Sequence, residues 1–97
     1  MIKHIVMFRL IDNADKKQNA KAIKKILDEL PAKISQIKEY EVGINIKQSD
    51  RASDLVLISS FDNNKKLNEY LNHQEHLKAL DFVRERTREV RAVDYEI

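Results

Sequence analysis

Apolar residues recur along this chain at two spacings, and the switches between them divide it into alternating strands and helices. From Ile2 to Ile11 the sequence is short, almost continuously apolar and rich in β-branched side chains, as in a strand buried on both faces. Period two places Ile2, His4, Val6, Phe8 and Leu10 on one face. Ile5, Met7 and Ile11 share the other with Lys3 and Arg9. Asp12 to Asp15 is a turn and capping stretch, after which Ala20, Ile23, Ile26, Leu27 and Leu30 follow helical spacing, and Pro31 is expected to end that helix.

Ile37 to Ile46 alternates again, with Tyr40, Val42, Ile44 and Ile46 on one face; Gly43 inside it marks an expected bulge or close backbone approach. After a polar turn at Gln48 to Asp54, the run Leu55 to Phe61 reads as a third strand, hairpin-connected to the second. Asp62 or Asn63 can cap a second helix whose inner face is Leu67, Tyr70, Leu71, Leu77, Leu80 and Val83, with a break expected between Leu71 and Gln74. Arg84 to Arg91 reads as charged surface. Ala92 to Ile97 closes the chain as a fourth strand.

The order strand, helix, strand, strand, helix, strand predicts one α+β domain over residues 1–97. It is a ferredoxin-like βαββαβ antiparallel sheet with both helices on one face. The second face has nothing from its own chain to cover Ile5, Met7, Val56 and Ile58. An exposed apolar sheet of that size predicts a homodimer formed face to face.

Composition narrows the function classes. With 18 basic and 16 acidic side chains the net charge is +2, too balanced for a nucleic-acid or anionic-membrane binder. The lysines of the first helix, Lys16, Lys17, Lys21, Lys24 and Lys25, form a solvated stripe. The absence of cysteine excludes disulfides, thiolate nucleophiles and cysteine-type zinc sites. MIKHIVMFRL is not a signal peptide, and nothing approaches the roughly 20 apolar residues of a membrane span, so a cytoplasmic protein is expected. The RNA-recognition motif shares this strand order, but LVLISSF offers only Phe61 for stacking, so nucleic acid is not an expected partner.

The candidate chemistry sits in LNEYLNHQEHLKAL, Leu67 to Leu80, which holds Tyr70, His73 and His76. Histidine changes charge near neutral pH, so two of them beside a phenol suit acid-base work on a carbonyl compound. The imidazole would take a proton and the phenol would stabilise the developing enolate oxygen. On one straight helix Tyr70 and His76 would stand roughly 240° apart and could not converge, so this chemistry requires the break. Alternatively the histidines hold the helix junction by bonding its backbone. His73 and His76 could also reach a cation together, but no third ligand is evident in sequence, so no metal site and no cofactor are expected.

The opening MIKHIVMFRL, the Leu30-Pro31-Ala32 segment, YLNHQEH from Tyr70 to His76 and the closing AVDYEI together resemble the Dabb family of dimeric, stress-responsive α/β-barrel domains, over essentially the whole chain. The resemblance implies the ferredoxin-like fold, paired through its sheets into a dimeric α+β barrel. The family includes a plant polyketide cyclase with a histidine base and an assisting tyrosine. Matching the YxxHxxH pattern gives His76 the base role and Tyr70 the phenol role, with His4, His73, Phe8 and Leu55 as ligand-binding residues. Gln74 stands where many relatives have proline, and Leu55 where the plant cyclase has another histidine. Three functions are expected in turn: a binder of a small apolar or aromatic molecule, a cyclase- or lyase-like acid-base enzyme, and a non-catalytic structural stress protein.

Overall fold

The computed structural model describes residues 1–97. Strand β1 (Ile2–Leu10) finds the two neighbours its apolar faces require. It pairs antiparallel with β3 (Leu55–Phe61) on one side and with β4 (Thr87–Glu96) on the other, while β2 (Glu39–Ile44) pairs with β3, giving the sheet order β2-β3-β1-β4. The connecting helices all cover one face: α1 (Lys16–Asp28), the single turn α2 (Leu30–Lys33), α3 (Asn64–Leu71) and α4 (Gln74–Arg84). This is the ferredoxin-like α+β plan.

The core lies between sheet and helices. His4, Val6, Phe8 and Leu10 of β1 are buried there with Leu55, Leu57 and Phe61 of β3, beneath Ile23 and Leu27 of α1 and Leu67 and Tyr70 of α3. The opposite face carries Ile5, Val56 and Ile58, each half-buried, beside the exposed Met7, Val93 and Tyr95. That face is bare of any element of its own chain, as the alternation of β1 predicts.

Four local readings need correction. Pro31 does not end the first helix but opens α2: proline lacks the N–H that a first-turn residue does not use, so it starts a helix as readily as it stops one. Strand β4 begins at Thr87 rather than Ala92, because its charged residues, the exposed Arg88 and Arg91 and the half-buried Glu89, lie on an edge strand and interrupt the pattern without interrupting the ladder. Gly43 stays in register opposite Val56; the irregularity falls instead between Arg9 and Leu10, against β4. Leu77, expected inside, is exposed, and Ala79 is buried in its place, because the break between α3 and α4 resets the helical phase.

Candidate functional site

The break that the chemistry requires is present. Helix α3 starts at Asn63, whose side chain accepts from the Lys66 N–H at 2.9 Å, and stops at Leu71. Helix α4 starts two residues further on with His73 as its N-cap, the imidazole Nδ1 accepting the Glu75 N–H at 3.1 Å. The kink swings His76 back over Tyr70, and the two rings lie 4.5 Å apart between centroids. His76 Nδ1 is 3.0 Å from the Leu71 carbonyl oxygen. A carbonyl can only accept, so His76 carries its hydrogen on Nδ1 and leaves Nε2 bare, while His73, which accepts at Nδ1, must be the other tautomer. Two histidines three residues apart thus serve opposite hydrogen-bonding roles at one junction.

An aromatic wall extends from this point to the sheet. Phe61 stacks at a tilt on Tyr70, 4.9 Å away, and His4 meets Tyr70 and Phe61 edge-on at 6.1 and 6.4 Å. His4 is 5% exposed; its Nδ1 bonds the Asp94 carboxylate, its cross-strand neighbour on β4, and its backbone carbonyl accepts from Ser59 Oγ at 3.0 Å. Between this wall, α4 and the β1 and β4 strands lies a cavity of about 200 Å³. Its lining includes His4, Phe8, Tyr70, His76, Ala79 and Ala92, and 11 of its 13 residues are hydrophobic.

Burial shapes the protonation of these groups. Removal from water pushes His76 below the ordinary imidazole range; the Leu71 carbonyl opposes this, and the charges of His4, Arg84 and His73 reinforce it. His76 is therefore held neutral, with a free lone pair on Nε2. The Tyr70 phenol is pushed up to about 12 by burial, with the Tyr40 hydroxyl drawing it back down. Tyr40, on β2, is pushed up further by burial, then by Tyr70 and Asp28. These two hydroxyls influence each other, yet neither has a hydrogen-bond partner of good geometry, and both are buried from solvent. Tyr70 accordingly lines the cavity with its ring and not with its hydroxyl.

Of the residues singled out in the sequence, His4, Phe8, Tyr70 and His76 meet in this cavity. His73 and Leu55 do not: His73 is engaged as the helix cap, and Leu55 packs opposite Phe8 at the far end of β3, beside Ile44. The sequence pattern does not single out Asp94 as a site residue or assign Tyr40 more than a place on the inner face of its strand. Alternation in AVDYEI already sets Asp94 apart from its apolar neighbours, but only the pairing of β4 with β1 brings it to His4. No group of three His, Asp or Glu side chains converges to hold a metal ion, and no helix is long and apolar enough to cross a membrane.

Solved structures share this architecture throughout. A dimeric protein of unknown function and ferredoxin-like fold from Bacteroides fragilis is 35% identical, with 99% of this chain and 95% of that one covered and a TM-score of 0.88. A Dabb family protein from Mesorhizobium loti is 20% identical over 99% of this chain and 95% of that one, TM-score 0.74. The hydroxynitrile lyase of Passiflora edulis, 17% identical over 99% and 92% of the two chains, has a TM-score of 0.85. At the lower identities the likeness is one of fold. None of the functionally curated proteins matches the sequence. The profile of the Stress responsive A/B Barrel Domain matches residues 2–97, and with it the chain belongs to the Dabb family.

Proposed function

We propose that this protein is a homodimer that binds a compact apolar or aromatic molecule in the cavity between α4 and the sheet. The observation that carries the reading is the cavity itself. At about 200 Å³, and lined almost entirely by hydrophobic side chains, it exceeds the roughly 150 Å³ that suffice for benzene in an engineered apolar cavity. A single ring with a few further atoms fits. Dimerisation is supported by the bare sheet face, where Met7, Val93 and Tyr95 are each about half exposed, and by the dimeric Bacteroides fragilis relative.

The tautomer of His76 favours a second reading, acid-base catalysis on a carbonyl compound of the lyase or cyclase kind. A neutral imidazole with Nδ1 anchored on Leu71 and Nε2 bare is the form that accepts a proton. Tyr70 enters this reading through its ring, which backs the imidazole, because its hydroxyl is sealed off.

Titration of the ¹⁵N-labelled protein with phenol tests the first reading: amide shifts are expected at Leu71, Ala79, Val83 and Ala92. Filling the cavity with Ala92→Ile should weaken binding at least about tenfold, the equivalent of about 1.4 kcal/mol. Equal affinity in this variant, or shifts confined to the bare face, would overturn it. Turnover of a carbonyl substrate that disappears in His76→Ala would establish the second reading, and a dimer that binds no aromatic at all would leave a structural role.

A further inference from the structure

The lysines that the sequence arranges as one solvated stripe along α1 separate into two groups in the structure. Lys24 Nζ donates to the Asp28 carboxylate and to the Val42 carbonyl, each at 2.9 Å, and Lys16 Nζ lies 3.4 Å from Asp54 and 3.9 Å from Asp12. Their charges are answered within the chain. Lys17 and Lys21 have no carboxylate within ion-pair distance. With Lys16 they line a half-open cleft of about 440 Å³ between α1 and the β2–β3 connection, residues 45–54. This cleft lies on the helical side of the sheet and shares no residue with the cavity beneath α4.

The rest of the lining defines what the cleft can hold. Leu10, Ala20 and Ile44 supply apolar surface, and Gln48, from the connection, brings a side-chain amide that makes no hydrogen bond within the chain. The one carboxylate present, Asp54, is already used: one oxygen accepts the Leu10 N–H at 2.8 Å and the other faces Lys16. Two positive charges are therefore left over beside an apolar surface. Lys17 and Lys21 stand four residues apart on one helix, roughly 6 Å between Cβ atoms, where like charges repel each other. A phosphate group near neutral pH carries about −1.5 to −2 charges on three acceptor oxygens, so one such group can take hydrogen bonds from both ammoniums. A single carboxylate would answer only one of the two charges, and a bare phosphate ion would leave the apolar lining unused.

We propose that the cleft between α1 and the β2–β3 connection is a second ligand site, which takes a phosphate monoester of a compact apolar or aromatic alcohol. Lys17 and Lys21 hold the phosphate, Gln48 donates to it from the connection, and Leu10, Ala20 and Ile44 receive the apolar body.

Titration of the ¹⁵N-labelled protein with phenyl phosphate at pH 7.5 and low ionic strength tests this, with benzoate, inorganic phosphate and phenol as comparisons. Phenyl phosphate should shift the amides of Ala20, Ile44, Asn45 and Gln48 to saturation and bind at least about fivefold tighter than benzoate or inorganic phosphate. The double variant Lys17→Gln, Lys21→Gln should weaken it at least about fivefold, and Gln48→Glu, which adds a carboxylate from the other wall, should do the same. Lys25→Gln, on the same helix but outside the cleft, should change nothing; it controls for the general positive charge of α1. Equal loss in Lys25→Gln, or inorganic phosphate binding as tightly as phenyl phosphate, would reduce the site to an adventitious ion only and overturn the proposal. So would shifts confined to Leu71, Ala79 and Ala92, which would assign the ester to the cavity beneath α4.

Discussion

Strands β3 and β4 flank β1 on its two sides and present side chains to the same helical layer, yet one half of the sheet is packed and the other is hollow. Two rows across the sheet make the contrast: Leu57, Val6 and Ala92 form one, Ser59, His4 and Asp94 the next. At the β3 end, Leu55, Leu57, Ser59 and Phe61 are each at most 2% exposed; at the β4 end, Val90 is 44% exposed and Ala92 and Asp94 lie open. The packed half has Ile23 and Leu27 of α1 and Leu67 and Tyr70 of α3 buried above it, with large side chains filling the space. Over the hollow half stands α4, which turns the small Ala79 toward β4 across the cavity. A close-packed interior tolerates few voids wider than a water molecule, so the void bordered by His4 and His76 is where this fold gives up packing.

The largest test of the contrast is truncation on each side. Leu55→Ala in the packed half should cost about 2–5 kcal/mol of unfolding free energy, whereas Val90→Ala beside the cavity should cost under about 1 kcal/mol. Urea denaturation at matched m-values reads the difference, and equal costs would erase the distinction between the halves.

A pH series sharpens it next. Because the folded chain holds His76 below its ordinary value of 6.5, the unfolded chain takes up a proton more readily. Stability from this group is therefore complete above 6.5, and it drains away as the pH falls below 6.5 toward the lower folded value. Replacing the imidazole in His76→Leu should make the urea midpoint fall less between pH 7.5 and pH 5 than in the unaltered protein. An unchanged fall would mean that His76 is not the group responsible.

The smallest effect concerns the junction that shapes the hollow half. Losing the α4 cap in His73→Ala should cost about 0.5–1 kcal/mol, and His73→Asp, a stronger capping residue, should recover it or gain slightly. Thermal melts of the three proteins decide this. No difference among them would show that the junction is held by Leu71 and His76 alone.

The architecture was legible because its largest signals are local. The two-residue alternation of β1 already separated His4, Val6 and Phe8 from Ile5 and Met7, and no rearrangement of the chain can exchange those faces without a slip in register. The break before Gln74 was legible too, and with it the prospect that Tyr70 and His76 meet. What escaped depends on partners distant in sequence. Asp94 is 90 residues from the histidine it bonds. The Tyr70 hydroxyl on α3 is buried beside that of Tyr40, which comes from strand β2. Leu55 was placed at the site by family resemblance; it shares a row with the cavity-lining Phe8 and Val90, but it lies across Phe8 from Val90, next to Ile44 of β2, and does not line the cavity.

Strand β1 also governs how this protein can change. Its odd and even positions look out on different surroundings: His4, Val6 and Phe8 on the cavity, Ile5 and Met7 on the bare face. Under the proposed function, adjacent codons answer to separate demands, one set to the ligand and the other to the partner subunit. Substitutions at the even positions would then change the ligand while keeping the assembly, and substitutions at the odd ones the reverse, so that a single strand carries both histories side by side.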